Sequence, residues 1–535
     1  MAPHVAIGTY RGSKLNRTCL FSRMPQTQQT ASEDYLAVHS IIRIVGEFGR
    51  FQIAFLVLFL LFSVPETCQM YSIIFIASVP SWKYSTDSLP WQYNKTYPAS
   101  NFTRCKVPHN EWTYLEPDSH SIVTSFKLDC NQKWLLMLTS SVFFAGIMFG
   151  AYPLGWLADN YGRKKVLIPS LFGIILVGSV SAFSSNIWML VICRFIVGFL
   201  LPGHSSSLLA LMSEMVGPKY RARAMNLIYM NGSISLLLLN LITYFTTQWR
   251  HIVLFSTSPF VLILVFLKYV PESMYWNQSK GRSKEVWKTL KKIAKFNQSE
   301  IPNNVKLRAK AKIKGDVKTS FKDLFYTRTM TVTTVIIIFA SAVLAASFFA
   351  ISLAADSFSS DLHINVLIIS LAELPAVIAT FLATDRFGRK RAIITANSMT
   401  GIFCITVALL QNDTYIFTTC RLIAGALGKI GATIAYFGFF TWTAEIYPTL
   451  LRTQGLSCLF AGSKIGGTLT PWIVKGLSAY HASIPFALLG SVALLVSPFL
   501  MTLRETKGKQ FNEEFTFDEN IESYPDVKLL NGVAS

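Results

Sequence analysis

Long apolar runs alternate with short polar segments along most of this 535-residue chain. Each run has about 20 residues, the length that an α-helix needs to cross the hydrocarbon core of a membrane. The pattern therefore predicts an all-α membrane protein with twelve spanning helices, six on each side of a polar segment. The predicted spans are 51–78, 135–157, 166–184, 187–212, 224–245 and 250–270, then 329–355, 364–384, 392–410, 414–444, 453–473 and 482–502.

The same pattern divides the chain into five segments. A polar segment at 1–50 precedes an N-terminal six-helix bundle at 51–270, which contains a long loop at 79–134. A basic linker at 271–328 leads to a C-terminal six-helix bundle at 329–502 and a polar tail at 503–535. The first apolar run is too long for a cleavable signal sequence, so we expect it to be an uncleaved first span.

Composition agrees with a membrane protein. Charged residues make up 15% of the chain and hydrophobic residues 51%, whereas soluble proteins have about 25% charged residues. The net charge of +20 comes mostly from Lys and Arg between the apolar runs, without the interleaved aromatics that are typical of nucleic-acid binding. We therefore expect no nucleic-acid partner. By the positive-inside rule, these basic segments and both termini are cytoplasmic.

The loop at 79–134 carries features of an exoplasmic segment. It has two glycosylation sequons, at Asn94 and Asn101, and two cysteines, Cys105 and Cys130. Glycans and disulfides are both formed on the exoplasmic side, and we put forward a Cys105–Cys130 disulfide as a hypothesis. Further sequons begin at residues 277 and 297 of the predicted cytoplasmic linker, so the sequons alone are weak evidence.

Two short loops repeat the same motif, one in each half. Asp159-x-x-Gly162-Arg163-Lys follows the second span, and Asp385-x-x-Gly388-Arg389-Lys follows the eighth. Three more elements recur in the same order. Glu214 and Arg221 have the spacing of Glu445 and Arg452, Arg194-x-x-x-Gly recurs as Arg421-x-x-x-Gly, and Glu272 and Glu505 close the two halves. A single such motif is compatible with a basic turn, but an ordered set of four indicates an internal duplication.

The chemistry of the motif indicates a gate on the cytoplasmic side. Glycine permits a tight turn between antiparallel helices. The Asp and Arg side chains can form ion pairs with helix ends and with the Glu and Arg of neighbouring loops. We expect these pairs to form a cytoplasmic latch, which is closed while the cytoplasmic side is closed and broken when it opens.

Taken together, these motifs resemble those of the major facilitator superfamily, and closely those of the organic cation, anion and zwitterion transporters (solute carrier family 22). The resemblance covers about 44–510. It rests on the paired loop motifs, on Gly46-Glu-Phe-Gly-Arg50 before the first span, and on Glu214 to Arg221, Pro271-Glu272-Ser273, Glu373-Leu-Pro375-Ala and Glu445-Ile-Tyr-Pro448-Thr449.

The resemblance implies a major facilitator fold with two pseudo-symmetric six-helix bundles. It also implies alternating-access transport across the plasma membrane, through a central cavity lined by spans 1, 2, 4, 5, 7, 8, 10 and 11. Three departures from the family pattern make it harder to infer the substrate of this chain from that of its relatives. Met274-Tyr275 replaces the usual Pro-Arg, Phe381 replaces the Gly that opens the second motif, and Phe348-Phe349 occupies the place of paired tyrosines.

Four ionisable residues fall near the middle of predicted spans. Glu66 lies on span 1, Glu373 on span 8, Lys429 on span 10 and Lys464 on span 11. A charge at this depth costs a few kcal/mol on insertion scales and needs a partner or a function. One interpretation pairs Glu373 with Lys464, or Glu66 with Lys429, as ion pairs that fix helix packing. The other is that at least one of the four contacts the substrate or a coupling ion.

Lys464 bears most directly on the substrate. At this position cation-transporting relatives tend to have an acidic residue and anion-transporting relatives an Arg, so the resemblance favours organic anions or zwitterions. A cation there attracts a carboxylate and repels a cationic substrate. Aromatic residues complete the predicted substrate site, since ring walls suit flat organic ions; they are Phe348, Phe349, Tyr436, Phe440 and Trp442.

We therefore predict a transporter of small organic ions, with an organic cation transporter of the same family as the alternative. A non-transporting ligand sensor is a further alternative of another class. No metal-ligand cluster, nucleophile beside a histidine or phosphate-binding loop stands out, so we expect no enzymatic activity, metal or cofactor. A coupling ion or counter-substrate and the oligomeric state are left open.

Overall fold

The computed structural model of the chain describes residues 34–36, 38–84, 96–97, 105, 111–128, 130–302, 305–307, 321–359, 361–412, 414–448, 451–478 and 480–507. Within these residues, each of the twelve predicted spans is a long helix. The prediction of an all-α membrane fold with two six-helix bundles is therefore confirmed.

The twelve helices, labelled α1–α12, have ends within a few residues of the predicted ones. The N-terminal bundle consists of α1 (Arg50–Ile76), α2 (Trp134–Tyr161), α3 (Arg163–Ser181), α4 (Ile187–Met215), α5 (Pro218–Phe245) and α6 (Trp249–Thr257, continued by the 3-10 helix Ser258–Tyr269). The C-terminal bundle consists of α7 (Arg328–Leu353), α8 (Leu362–Phe387), α9 (Arg389–Leu409), α10 (Tyr415–Ile446), α11 (Arg452–Pro471, continued by the π-helix Trp472–Gly476) and α12 (Ile484–Thr502).

Eleven helices in the described part of the chain are long and apolar enough to cross a membrane, and α11 is the long helix that falls short. The reason is its content of Gly, Ser and Thr, together with Lys464. Small residues let α11 lie directly against α7. A Cβ atom at Gly466 would collide with the carbonyl oxygen of Ala342. The low hydropathy of α11 therefore reflects close packing inside the protein rather than exposure to water.

Proline residues interrupt several helices at membrane depth. Pro65 lies inside α1 directly before Glu66, and Pro202 lies inside α4. Each proline lacks the N–H that would bond to the carbonyl one turn earlier, and such interruptions are tolerated in membrane helices where the freed groups face protein or a cavity. Both helices continue past their prolines, to Ile76 and Met215, with one backbone donor missing at each proline.

The remaining elements lie mostly in the N-terminal segment, where a helix spans Val38–Val45, in the predicted exoplasmic loop and in the linker. Strand β2 (Trp82–Tyr84) pairs antiparallel with β3 (Thr96–Tyr97) and β4 (Trp112–Tyr114), and β1 (Asp34–Leu36) pairs parallel with β5 (Val305–Leu307). A short helix spans Ile122–Ser125. The Cys105–Cys130 disulfide is present and confirms that hypothesis, whereas Asn94 and Asn101 lie outside the described residues.

Two short helices in the linker, Met274–Ser279 and Ser283–Asn297, pack on the N-terminal bundle. Asn297 ties the second of them to the start of α1. Its Oδ1 accepts a hydrogen bond from the backbone N–H of Phe51 at 2.8 Å, and its Nδ2 donates to Gln52 Oε1 at 3.1 Å. This asparagine belongs to one of the linker sequons, and its amide is engaged inside the protein.

Candidate transport site

The strongest interaction among the four midplane charges joins α8 to α10. Lys429 is fully buried, and its Nζ lies 3.2 Å from Glu373 Oε2. Lys429 also donates to the carbonyl of Phe348 at 3.2 Å and to Ser352 Oγ at 2.9 Å, and it lies 3.5 Å from the centroid of the Phe348 ring. The buried ammonium group of Lys429 is therefore compensated by the Glu373 carboxylate and by these hydrogen bonds.

The observed pairing differs from both pairs considered from the sequence. Glu373 pairs with Lys429 rather than with Lys464, and Glu66 does not pair with Lys429. Instead, Glu66 Oε2 lies 2.5 Å from Nδ1 of His204 on α4. Depth along a helix can be counted from the sequence, but the direction in which each side chain points depends on the rotation of the helix, which the count does not determine.

Among the described residues, Lys464 forms no ion pair. Its side chain is half-buried on α11 and interacts electrostatically with Glu66 without direct contact. Glu66 and Lys464 are therefore an acid and a base on helices of different halves, near enough to interact electrostatically. Of the four predicted charges, these two have the capacity to bind a charged ligand, because Glu373 and Lys429 already neutralise each other.

His204 was missed by the sequence prediction. It is fully buried, and its second ring nitrogen, Nε2, has no hydrogen-bond partner among the described residues. The signal for it was a lone histidine in an apolar run after Pro202-Gly203. Taken alone, such a residue is more often a packed core side chain, and only its distance from Glu66 marks it as part of the site.

Four of the five predicted aromatics form one cluster next to the buried ion pair. The rings of Phe348 and Tyr436 stack with centroids 4.9 Å apart, and Phe349 and Phe440 each contact Tyr436 edge-on, at 6.1 and 5.1 Å. The Tyr436 hydroxyl lies 3.0 Å from Ser463 Oγ, one residue before Lys464. The cluster therefore connects the Glu373–Lys429 pair to the neighbourhood of Lys464.

Trp442 lies away from this cluster. Its indole Nε1 donates to the carbonyl of Arg504 at 3.0 Å, and its ring packs against Phe439 near the end of α10. Trp442 is fully buried between the end of α10 and the segment that follows α12. We infer that it supports the loop network described next rather than contacting the substrate.

The loop motif of the N-terminal half is built around Arg163. Its guanidinium lies 3.0 Å from Glu214 Oε1 and 3.8 Å from Asp159 Oδ1. Glu272 Oε1 accepts a hydrogen bond from the backbone N–H of Lys164 at 3.0 Å. Ser273 Oγ joins the network by a hydrogen bond to Glu214.

The turn of this motif requires glycine. Gly162 has a φ of +114°, and a Cβ atom there would lie 2.5 Å from Glu272 Oε2. Arg221, which was predicted to join the same network, donates to the carbonyl of Ser213 at 2.8 Å and also bonds Tyr275. Arg221 therefore holds the start of α5 next to the end of α4 and does not take part in the ion pairs of the network.

The C-terminal half repeats this arrangement. Arg389 Nε lies 3.1 Å from Glu445 Oε2, and its Nη1 lies 3.3 Å from Asp385 Oδ1. Glu505 accepts hydrogen bonds from the backbone N–H groups of Arg389 and Lys390, both at 3.1 Å. Thr506 Oγ1 donates to Glu445 at 2.5 Å, as Ser273 does to Glu214.

Two further predicted members occupy matching positions. Gly388 has a φ of +94°, and its Cβ position would lie 2.7 Å from Glu505 Oε2. Arg452 is the first residue of α11, whereas Arg221 lies in the first turn of α5. The near-identity of the two networks supports the duplication that the sequence indicates.

The ion pairs named above join residues of the same half. Arg163, Asp159 and Glu214 all belong to the N-terminal bundle, and Arg389 and Glu445 to the C-terminal bundle. Each set of pairs therefore braces its own bundle, and the opening of this latch with the cytoplasmic side stays a prediction. Partial burial tends to raise the pKa of Glu505, but hydrogen bonds from four backbone N–H groups outweigh it and hold that pKa below its ordinary value.

Comparison with known proteins identifies the fold and the family. The family model of the Major Facilitator Superfamily matches residues 122–384 and 335–528. Solute carrier family 22 member 3 of Mus musculus is 30% identical over 400 residues, which cover 74% of this chain and 71% of that protein. This chain belongs to the major facilitator superfamily and, within it, to solute carrier family 22.

Other relatives extend the match to nearly the whole chain. Organic cation/carnitine transporter 4 of Arabidopsis thaliana is 27% identical over 509 residues, covering 92% of this chain and 93% of that protein. Among solved structures, the inward open xylose transporter XylE of E. coli has a TM-score of 0.56 at 16% identity, covering 89% of this chain and 98% of that one. A D-xylose-proton symporter has a TM-score of 0.59 at 17% identity, covering 86% and 99%. The structural similarity shows the fold alone.

Membership of this family makes the chain a multi-pass membrane transporter of small molecules rather than an enzyme. The two bundles of this transporter meet through hydrogen bonds near one end. Ser141 on α2 donates to the carbonyl of Thr468 on α11 at 2.7 Å, and Asn240 on α5 donates to the carbonyl of His363 on α8 at 3.1 Å. Phe75 stacks on the His363 ring at 5.7 Å. This is the end that the sequence predicts to be exoplasmic.

Proposed function

We propose that this chain carries small organic anions or zwitterions, with carnitine-like zwitterions as the preferred class, across the plasma membrane. Glu66 and Lys464 carry the proposal because they are an acid and a base on different halves that interact electrostatically without direct contact. A zwitterion placed between them presents its carboxylate to the lysine and its cationic group to the glutamate. Neither charge then has to be buried without a partner.

The neighbouring charges support this assignment. Because Lys429 and Glu373 neutralise each other, they add little net field at the site, and the sign of the ligand is decided by Lys464 and Glu66. The aromatic cluster supplies apolar and cation–π surface beside them. Phe440 is the partly exposed member of the cluster, and it contacts both Tyr436 and Phe460 at centroid distances of 5.1 Å.

The proposed mechanism is alternating access between the two bundles. With both termini in the cytoplasm, as the positive-inside rule predicts, the contacts of Ser141 with Thr468 and of Asn240 with His363 close the exoplasmic side. The two loop networks keep each bundle rigid, so that the bundles rock against each other around a fixed site.

Uptake by charge class tests the proposed substrate. Purified protein in liposomes is assayed with labelled carnitine, hippurate and tetraethylammonium, as wild type and as Lys464→Asp and Lys464→Arg. We expect wild type to take up carnitine or hippurate in preference to tetraethylammonium, Lys464→Asp to reverse that preference, and the charge-conserving Lys464→Arg to keep it. A wild-type preference for tetraethylammonium that Lys464→Asp leaves unaltered would contradict the charge argument.

Organic cation transport is the second candidate, and the ring cluster together with Glu66 favours it. The same panel distinguishes the two, since a cation carrier accumulates tetraethylammonium in the wild type. A ligand sensor, the candidate of another class, binds a compound without saturable accumulation. The intact network in each half supports turnover over sensing, because both bundles keep the braces that rigid-body movement requires.

A further inference from the structure

The Glu66–His204 contact is a site to which no role has so far been given. Glu66 Oε2 and His204 Nδ1 lie 2.5 Å apart, inside the N-terminal bundle and directly after the helix interruptions at Pro65 and Pro202. His204 is fully buried, and its Nε2 lacks a partner among the described residues. The Glu66 side chain is 17% exposed, so the carboxylate is the end of the pair that reaches the central space.

Among the described residues of the N-terminal bundle, Arg194 is the charged group that reaches toward this contact. Its buried guanidinium donates to the carbonyl of Gln69 at 2.5 Å and to Ser72 Oγ at 3.0 Å, both on α1 within two turns of Glu66. Glu214 lies ten residues from His204 on α4, about 15 Å along the helix. Charged and imidazole side chains on α1 and on the helices around it lie toward the helix ends: Arg50, Asp159, Arg163, Lys164, Lys165, Lys219, Arg221, Arg223, Arg250, His251 and Lys268. The phenols and thiols nearby are uncharged at neutral pH; they are Cys68, Tyr71, Cys193 and Tyr229.

One charge from the C-terminal half acts on the pair. Lys464 interacts electrostatically with Glu66, whereas Glu373, which acts on Tyr71, is neutralised by Lys429. Without an added proton, the Glu66 carboxylate and a neutral His204 carry one negative charge, which balances Lys464. With one proton added, the pair is neutral overall, and the positive charge of Lys464 is no longer balanced.

We propose that Glu66 and His204 form a binding site for one proton, which is cotransported with a carboxylate bound at Lys464. The proton enters from the exoplasmic solution and is shared between Oε2 and Nδ1. The carboxylate then binds the uncompensated Lys464, and both are released on the cytoplasmic side. One proton and one negative charge move together, so the step transfers no net charge. This proposal rests on the proposed transport of organic anions and names their coupling ion, since the proton takes the place that the cationic group of a zwitterion would occupy beside Glu66.

Proton movement is measured in liposomes that contain the full chain and an entrapped pH-sensitive dye. Hippurate is added outside at about pH 5.5 or about pH 7.5, and protein-free liposomes give the background from diffusion of the free acid. Histidine ordinarily changes charge between these values, and an ordinary imidazole is roughly tenfold more protonated at the lower one. We expect roughly tenfold faster hippurate uptake at about pH 5.5 than at about pH 7.5, with acidification of the lumen.

Two variants and a matched control locate the proton. Glu66→Gln and His204→Gln are expected to make uptake insensitive to pH and to abolish the acidification. His251→Gln replaces a histidine near the start of α6, away from the pair, and is expected to keep the wild-type pH profile. Retention of the pH dependence in both Glu66→Gln and His204→Gln would overturn the assignment to this pair.

The outcomes separate this proposal from the proposed function. Saturable hippurate or carnitine uptake in wild type without pH dependence or acidification overturns proton coupling and leaves anion or zwitterion transport standing. Uptake of tetraethylammonium alone, or of none of the three compounds, overturns the proposed function and the coupling with it. If neither variant reaches a folded state, the wild-type dye measurement still decides the question.

Discussion

Lys429 Nζ lies 3.2 Å from Glu373 Oε2 and joins α10 to α8 inside the C-terminal bundle. Lys429 is fully buried and the Glu373 side chain is 4% exposed, so each charge depends on the other for compensation. Both residues are on helices that the family resemblance assigns to the central cavity. Their contact nonetheless makes them part of the framework of the bundle, and the site for ligand charge shifts to Glu66 and Lys464.

Removing one partner of this pair is expected to be strongly destabilising. Glu373→Gln leaves a buried ammonium uncompensated, and losses of about 3–5 kcal/mol are usual for breaking a buried pair. The double variant Glu373→Gln/Lys429→Met removes both charges and is expected to recover most of the loss. Thermal unfolding of the purified proteins in detergent measures both effects. A midpoint for Glu373→Gln equal to that of wild type would show that the carboxylate is not needed.

Arg163 is expected to matter more than the aspartate of its own motif. Arg163 contacts Glu214, whose side chain is 14% exposed, at 3.0 Å, whereas Asp159 is 77% exposed and lies 3.8 Å away. Exposed pairs typically contribute less than about 1 kcal/mol. Arg163→Ala should therefore lower uptake strongly and Asp159→Ala mildly, both with normal surface delivery. Uptake per molecule at the cell surface checks this, and full uptake by Arg163→Ala would exclude a role for the network in transport.

Gly162 offers a test of the turn with a control on the same helix end. Gly162→Ala combines a positive φ with a Cβ position 2.5 Å from Glu272, whereas a Cβ at Gly155 meets nothing within 4 Å. We expect Gly162→Ala to reduce both stability and uptake, at a cost of about 1–2 kcal/mol from the left-handed backbone alone. Gly155→Ala should behave as wild type in the same uptake and unfolding assays. Equal behaviour of the two variants would show that the turn tolerates a side chain.

How much of this could be predicted from the sequence depends on the kind of signal. The spans could be predicted because length and hydropathy are properties of one segment. The span at 453–473 was predicted from its apolar run in the same way, although α11 is less apolar than the other long helices. The loop networks could be predicted because the duplication shows the same residues twice. Ser273 and Thr506, which bridge to Glu214 and Glu445, went unnoticed as members since small hydroxyl residues are common in loops.

Side-chain partners at the centre of the protein could not be predicted in the same way. Glu66, Glu373, Lys429 and Lys464 share a depth, so any acid could be matched with any base. The observed choice, with Lys429 on Glu373 and His204 on Glu66, depends on the rotation of α1, α4, α8 and α10 about their axes. Trp442 shows the same limit, since its helix could be predicted from the sequence and the direction of its side chain could not.

Glu505 predicts a pH dependence of stability. Its pKa is held below the ordinary value by backbone N–H donors, so the ionised form favours the folded state. This contribution is fully present above the unfolded-state pKa of about 4.3 and is lost as the pH falls through the lower, folded-state value. The difference in unfolding midpoint between wild type and Glu505→Gln should therefore be constant near neutral pH and shrink below about pH 4.3. A difference that grows on acidification would reverse the sign of the argument.

The contact between Asn240 and His363 predicts how the closed end of the transporter opens. Asn240 donates to the His363 carbonyl at 3.1 Å, and its Oδ1 lies 3.0 Å from His363 Nδ1, so two hydrogen bonds join α5 to α8. Each contributes about 0.5–1.5 kcal/mol. Asn240→Ala should then shift the equilibrium between closed and open exoplasmic side by roughly 5- to 150-fold, the factor that corresponds to about 1–3 kcal/mol.

Thr470→Cys reports this shift, because Thr470 is 1% exposed and lines the small cavity beside Phe144 near the same end. A membrane-impermeant maleimide added outside intact cells should label Thr470→Cys faster when Asn240→Ala is present, relative to protein without the introduced cysteine. Asn160→Ala is the control, because the Asn160 amide donates to the carbonyl of Trp156 on the same helix, and it should leave the labelling rate unchanged. Faster labelling only from the cytoplasmic side would instead mean that the predicted orientation is inverted.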